Sequence, residues 1–285
     1  MATKSKPTAA PELPPVAEAA GAVSTTTVAD YGHALPIGVL KDGQLHRSFA
    51  FKTFRMKEER ELDAKRKANK QMSVGTFVAS VLAHMLTQLG PYADFQAMSE
   101  EHRINAIQQM YVADVMYAWI CLRIEALGSA ITFPLKCPRC EVEFKFHADL
   151  SLTDVTVYED TGLLARAFKL ANGIQLLDKS VSTDLVVQPP HWRAMSVARP
   201  NATPGDVKAA MILASIIKVG DGRFPPTTDD IDNMSKRDIE LLSAFIDSDA
   251  PGAGMVIDCN CPECAHQWKI PLDWSWDFFF TSASL

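Results

Sequence analysis

The sequence predicts an α+β fold, mainly helical with short strands, in two weakly duplicated halves joined by a pair of β-hairpins. Three observations carry this. Apolar residues recur at helical spacing over several long stretches. Two Cys-x-x-Cys segments, starting at Cys137 and Cys261, superimpose without gaps. Each half also runs in the same order, from strand through helices to a Cys-Pro-x-Cys.

The bulk numbers bound the reading. A chain of 285 residues suffices for one large domain or two ordinary ones. The net charge of −6 disfavours a dedicated nucleic-acid or anionic-membrane binder, which carries a basic face. No apolar run approaches the roughly 18 residues of a spanning helix. Residues 1–30 read as a Pro/Ala-rich arm, disordered or held by a partner, because that composition buries too little surface to offset chain entropy. It lacks the apolar centre of a secretory signal. Residues 31–150 form the N-terminal half, 151–273 the C-terminal half and 274–285 an aromatic tail.

After the arm, Asp42-Gly43 reads as a hairpin turn, with Leu45, Phe49 and Phe51 on a mostly alternating apolar face. The segment RMKEERELDAKRKANKQ reads as an exposed helix. Its basic residues are interleaved with Glu58, Glu59, Glu61 and Asp63, which makes it a solvated face rather than a phosphate site. Ser73 caps a second helix through VGTFVASVLAHMLTQLG, stopped by Gly90-Pro91. His84 on it has no acidic or thiol partner nearby in sequence and reads as a packed histidine. Ile104, Ile107, Tyr111, Val115, Ala118, Trp119 and Leu122 predict one long helix from about Ser99 to Leu127, with Gly128 as the stop. Asp114 and Arg123 lie in its apolar part on opposite faces, so each is expected to contact a different element. DVTVYED is a short strand, and the next thirty or so residues mix strand and helix signals. Thr203 with Pro204 starts another helix through ATPGDVKAAMILASIIKVG, and Ser235 with Asp238 a further one through a loose capping box. No phosphate-cradling glycine pattern occurs.

In the two cysteine segments, Cys137-Pro-Arg-Cys140 lies over Cys261-Pro-Glu-Cys264. Phe144 falls on Trp268, Phe146 on Ile270, Phe133 on Ile257, Leu135 on Cys259 and Asp149 on Asp273. This is a zinc-ribbon-like pattern: two hairpins, each presenting two thiolates, closing a tetrahedral shell around Zn²⁺. A redox pair would need its first thiol at a helix N-terminus, but alternating residues follow both pairs here. Cys259 takes the place of an inward strand leucine and Cys121 lies on a helix, so both read as small core residues. The two pairs are separated by 120 residues. A metal bridging them would clamp the halves, and four thiolates leave no open position for catalysis. No catalytic constellation is recognisable, and no small-molecule substrate is implied.

Beyond the second hairpin, Trp274, Trp276, Phe278 and Phe280 alternate with Ser275, Asp277 and Phe279, as in an extended strand with one aromatic face. That strand either covers its own domain's core or docks on another subunit, where Trp and Phe are favoured. Trp274, Trp276, Phe278, Phe279 and Phe280 are the candidate partner-binding residues.

The segments LPIGVLKDGQLHRSFAFKTFRMKEEREL, DVMYAWICLRIEALG, CPRC and FHADLSLTDVTV together resemble the T4-like bacteriophage base plate protein family. The helix motif of that family falls on Asp114, Leu122, Arg123 and Gly128. The resemblance covers roughly residues 34–157, and more loosely the second knuckle and the DFFF ending. The N-terminal arm is extra, and Glu141 and Ala265 stand where the family has glycine after each knuckle. It implies a non-enzymatic structural or assembly protein of a contractile-tail baseplate hub. Other baseplate and tail proteins would be its partners, in the virion or in the host cytoplasm during assembly. The alternative is a zinc-ribbon nucleic-acid-binding or transcription accessory protein. Against it, the basic residues around the knuckles are offset by Glu141, Glu143, Asp149, Asp258, Glu263 and Asp273.

Overall fold

The computed structural model describes residues 23–68, 72–158, 164–176, 179–197, 202–222, 226–247 and 250–272. The first half opens with strand β1 (Val23–Thr27), the single-turn helix α1 (Val28–Tyr31), and the hairpin β2 (Ala34–Lys41) and β3 (Gln44–Phe51). Helices α2 (Met56–Ala68) and α3 (Val74–Met85) follow, then β4 (Leu86–Leu89), α4 (Glu100–Gln109) and α5 (Val112–Leu127). This half closes with β5 (Ala130–Lys136) and β6 (Glu143–Asp149), and β7 (Asp154–Tyr158) follows it. The second half runs β8 (Arg166–Gln175), β9 (Val181–Val187), α6 (Arg193–Val197), α7 (Pro204–Ser215), β10 (Ile216–Val219), α8 (Thr228–Asp232) and α9 (Lys236–Asp247). It ends in β11 (Gly252–Ala253) and the hairpin β12 (Val256–Asn260) and β13 (Gln267–Pro271).

The fold is α+β, with 41% helix and 34% strand among the described residues. That is a more even mixture than the mainly helical chain expected from sequence. The additional strands are short and paired over long sequence distances. Leu86–Leu89 and Ile216–Val219, expected as the last turns of helices, instead turn into strands, β4 against β3 and β10 against β9. The expected long helix over 99–127 is two helices. Met110 and Tyr111 between them are extended, because their neighbours' backbone bonds go elsewhere: Trp192 N–H donates to Met110 O (2.8 Å) and Val112 N–H to Pro190 O (2.9 Å). Part of the expected arm is also folded. The Val/Thr-rich run Val23–Thr27 pairs residue for residue with β7, Val23 opposite Tyr158 and Thr27 opposite Asp154. Residues 1–22 lie outside the described residues.

Other local signals appear where they were read. Asp42 (φ 52°) and Gly43 (φ 76°) make the β2–β3 turn with both central residues left-handed. Ser73 and Thr203 cap α3 and α7. His84 does have partners, supplied by tertiary contacts: its Nε2 lies 3.0 Å from Lys52 Nζ and 3.4 Å from Glu61. Burial lowers the pKa of both His84 and Lys52.

Among the described residues there are two large apolar cores and a small third cluster of Ile37, Tyr111 and Tyr158. The larger is built on α3 and α5, with Trp119, Tyr117, Phe95 and Leu35 fully buried. The second lies between α7–α9 and the sheet β8–β9–β10, around Leu242, Ile212 and Leu185. The halves interlock, since Trp192 and Leu272 from the second half belong to the first core. Trp192 donates Nε1–H to Gly75 O at 2.9 Å, and α6 passes so close that a Cβ on Gly75 would stand 2.2 Å from Met195 O. Gly75→Ala should therefore force the α3–α6 pair apart and lower stability by about 2–3 kcal/mol. An unchanged denaturation midpoint would show that this contact is not a fixed part of the fold.

A carboxylate clasp recurs in each half. Asp114 on α5, fully buried, accepts N–H bonds from Ile37 (2.8 Å) and Gly38 (2.9 Å) where β2 bulges. Asp238 on α9 accepts from Ala171 (2.7 Å) and Asn172 (3.0 Å), where β8 bulges. Gly38 (φ 109°) and Gly173 (φ 90°) supply the left-handed backbone at the two bulges. Burial pushes the Asp114 carboxyl up to about 7, against the pull of its two N–H donors. Asp238 is also opposed by burial, but donors from Ala171, Ser235 and Asn172 hold it below the usual range. Arg123, also fully buried, donates to Gly128 O at 2.8 Å, at the end of its own helix.

Candidate metal centre

The two cysteine hairpins share one local design. In the first, Cys137 N–H bonds Val142 O (2.9 Å) and Glu141 N–H bonds Cys137 O (3.0 Å); in the second, Cys261 N–H bonds His266 O (2.9 Å) and Ala265 N–H bonds Cys261 O (3.0 Å). Glu141 (φ 60°) and Ala265 (φ 53°) are left-handed, the conformation a glycine would supply at these points. The ladders match as well: Phe133 faces Phe146 and Leu135 faces Phe144 in one, Ile257 faces Ile270 and Cys259 faces Trp268 in the other. Phe144 and Trp268, equivalent positions, meet edge to face with centroids 6.1 Å apart.

This design brings four sulfurs together. Cys137 Sγ lies 3.7 Å from Cys264 Sγ and Cys140 Sγ 3.6 Å from Cys261 Sγ, with all four within 4.8 Å of one another. A tetrahedron with metal–sulfur bonds of about 2.3 Å has edges of about 3.8 Å, so the donor set fits a four-coordinate ion with little adjustment. Cys137 and Cys261 are buried and Cys140 is exposed, so the centre sits under one solvent-facing edge. Burial opposes a Cys137 thiolate, but the N–H groups of Cys140 and Arg139 outweigh it and hold the thiol well below its ordinary value. The remaining cysteines lie apart. Cys259 is buried opposite Trp268 and burial raises its pKa; burial pushes Cys121 up to about 12. Both stay protonated, as expected of small core residues.

A model of the family described as T4 bacteriophage base plate protein matches residues 39–280, which takes in both cysteine hairpins, the second core and most of the first. The chain belongs to the T4 bacteriophage base plate protein family. No curated protein matches it, and no solved structure does. In this baseplate-family chain the match extends well past the segments that carried the resemblance in sequence, through α7–α9 and the second knuckle. No helix among its described residues is long and apolar enough to cross a membrane.

The rim of the centre is electrostatically mixed. Lys136 pairs with Glu141 at 3.0 Å and Lys269 lies 3.7 Å from Asp258, so two of the basic residues beside the knuckles face acids. The candidate partner-binding residues Trp274, Trp276, Phe278, Phe279 and Phe280 lie outside the described residues. Sequence reasoning missed the equivalence of Asp114 and Asp238. The signal was present: Ile107-x-x-Met110-x-x-x-Asp114 repeats as Ile231-x-x-Met234-x-x-x-Asp238, and each aspartate precedes its first knuckle cysteine by 23 residues.

Proposed function

We propose that this protein is a non-enzymatic structural component of the hub region of a contractile-tail baseplate, acting through contacts with other tail proteins. In this reading Cys137, Cys140, Cys261 and Cys264 hold a structural Zn²⁺. Four thiolates fit zinc by ligand softness and by geometry, and a closed shell supplies no water or substrate position. The ion's role is mechanical. It ties two marginal two-stranded hairpins to each other, and through them the two halves of the chain. The observation that carries the proposal is the convergence of these four sulfurs in a chain of baseplate family. The matching clasps, cores and knuckles further support an internal duplication, in which each copy contributes half of one metal shell.

The test is genetic and compositional. Infection with a phage whose copy of this gene carries an early stop should yield no complete baseplates, and the full-length protein supplied in trans should restore them. Normal tails from the stop mutant would contradict the proposal. Restoration by a Cys140→Ser protein to wild-type yield would contradict the role given to the metal.

A further inference from the structure

We infer that the segment after Leu272, led by Trp274, seats in an apolar cleft of its own chain between α7, α9 and the base of the second hairpin. The cleft has a volume of about 570 Å³ and is lined by Met116, Met211, Ile212, Ile246, Ala253 and Met255, among others. Two observations choose the occupant.

The first is where the described chain ends. Leu272 is buried, and its N–H bonds Met255 O at 2.9 Å, so the chain leaves the second hairpin against a residue that lines the cleft. Thirteen residues follow, DWSWDFFFTSASL, which lie outside the described residues. Their aromatic content matches the apolar lining. Being tethered at the rim, the segment competes for the cleft at an effective concentration of about millimolar, well ahead of a free partner.

The second is what the first half does at the equivalent place. With the 124-residue offset that superimposes the knuckles, Leu272 falls on Ala148, Met255 on Ile131, Ala253 on Ser129 and Trp274 on Leu150. Ala148 pairs with Ile131, as Leu272 bonds Met255. Two residues on, Leu150 N–H bonds Ser129 O at 2.9 Å and the leucine side chain is fully buried in the first core. Continued in the second half, this pattern brings the Trp274 N–H to Ala253 O and its indole into the cleft. The wall differs accordingly. Leu122 on α5 is 1% exposed, whereas its counterpart Ile246 on α9 lines open space.

Hydrogen exchange on the full-length protein tests this, read on peptides spanning 246–256. Trp274→Asp should speed exchange there by about tenfold or more while peptides from α3 and the zinc content stay as in the wild type. Ile246→Gln approaches from the other wall, and should expose Phe278–Phe280 to chymotrypsin without unfolding either core. Unchanged exchange at 246–256 together with unchanged cleavage in the Ile246→Gln protein would overturn the inference. So would wild-type protection that vanishes on dilution, which would make a second copy the occupant.

Discussion

Stripping the metal from the purified protein with a strong chelator is expected to lower its melting temperature by about 8 °C, and readdition of Zn²⁺ should restore it. The size follows from linkage. An ion that binds only the folded state, at a free concentration about a thousand times its dissociation constant, stabilises by about 4 kcal/mol. In a chain of this length each kcal/mol moves the midpoint by about 2 °C. The effect should be local in origin. The hairpins β5–β6 and β12–β13 are two-stranded sheets, marginal alone, so their amides should lose protection first. The cores around Trp119 and Leu242 do not contain the sulfurs and should remain protected. Loss of protection throughout the first core on chelation would mean that the metal is part of the folding nucleus rather than a staple between finished halves.

Asp114→Ala is expected to be among the most destabilising single substitutions in the chain, costing about 3–5 kcal/mol. The carboxylate is fully buried and satisfies two adjacent backbone donors, Ile37 N–H and Gly38 N–H, at a bulge that turns their strand toward α5. Alanine leaves both donors without an acceptor, at about 1–3 kcal/mol each, and adds a small void. Asp114→Asn should fall between, because a carboxamide keeps one acceptor oxygen but turns its NH₂ toward the other donor. Urea denaturation of the three proteins should give the order wild type, Asn, Ala. A wild-type midpoint for Asp114→Ala would show that β2 does not need the clasp. Asp238→Ala, whose donors are only part-buried, should cost less and act on the second core.

The convergence of the four cysteines was legible because everything needed for it is local. Each hairpin is specified by a few residues, a Cys-Pro-x-Cys turn between alternating strands, and equivalence between the two segments picked out the four cysteines that converge and left Cys259 out. The helix starts at Ser73, Ser99, Thr203 and Ser235 were legible for the same reason, since a cap is a contact between neighbours. What escaped depends on partners far along the chain. Leu86–Leu89 continues an apolar helical pattern, and only pairing with Phe49–Phe51 draws it into a strand. Nothing in Met110-Tyr111 breaks a helix; the break comes from the Pro190–Trp192 backbone bonding there. The strand Val23–Thr27 hides behind a Pro/Ala-rich composition, and its partner lies more than a hundred residues on. His84 looked unpartnered because Lys52 and Glu61 reach it from other elements.

The most direct test of the stapled two-half architecture is the metal content of four purified proteins: wild type, Cys140→Ser, Cys261→Ser and Cys259→Ser. The wild type should carry about one zinc per chain, as a single four-thiolate site requires. Cys140→Ser and Cys261→Ser, which remove one sulfur from each hairpin, should both lose it, and Cys259→Ser should keep it. A chain without zinc, or a Cys259→Ser protein that is empty while Cys261→Ser is full, would contradict the account.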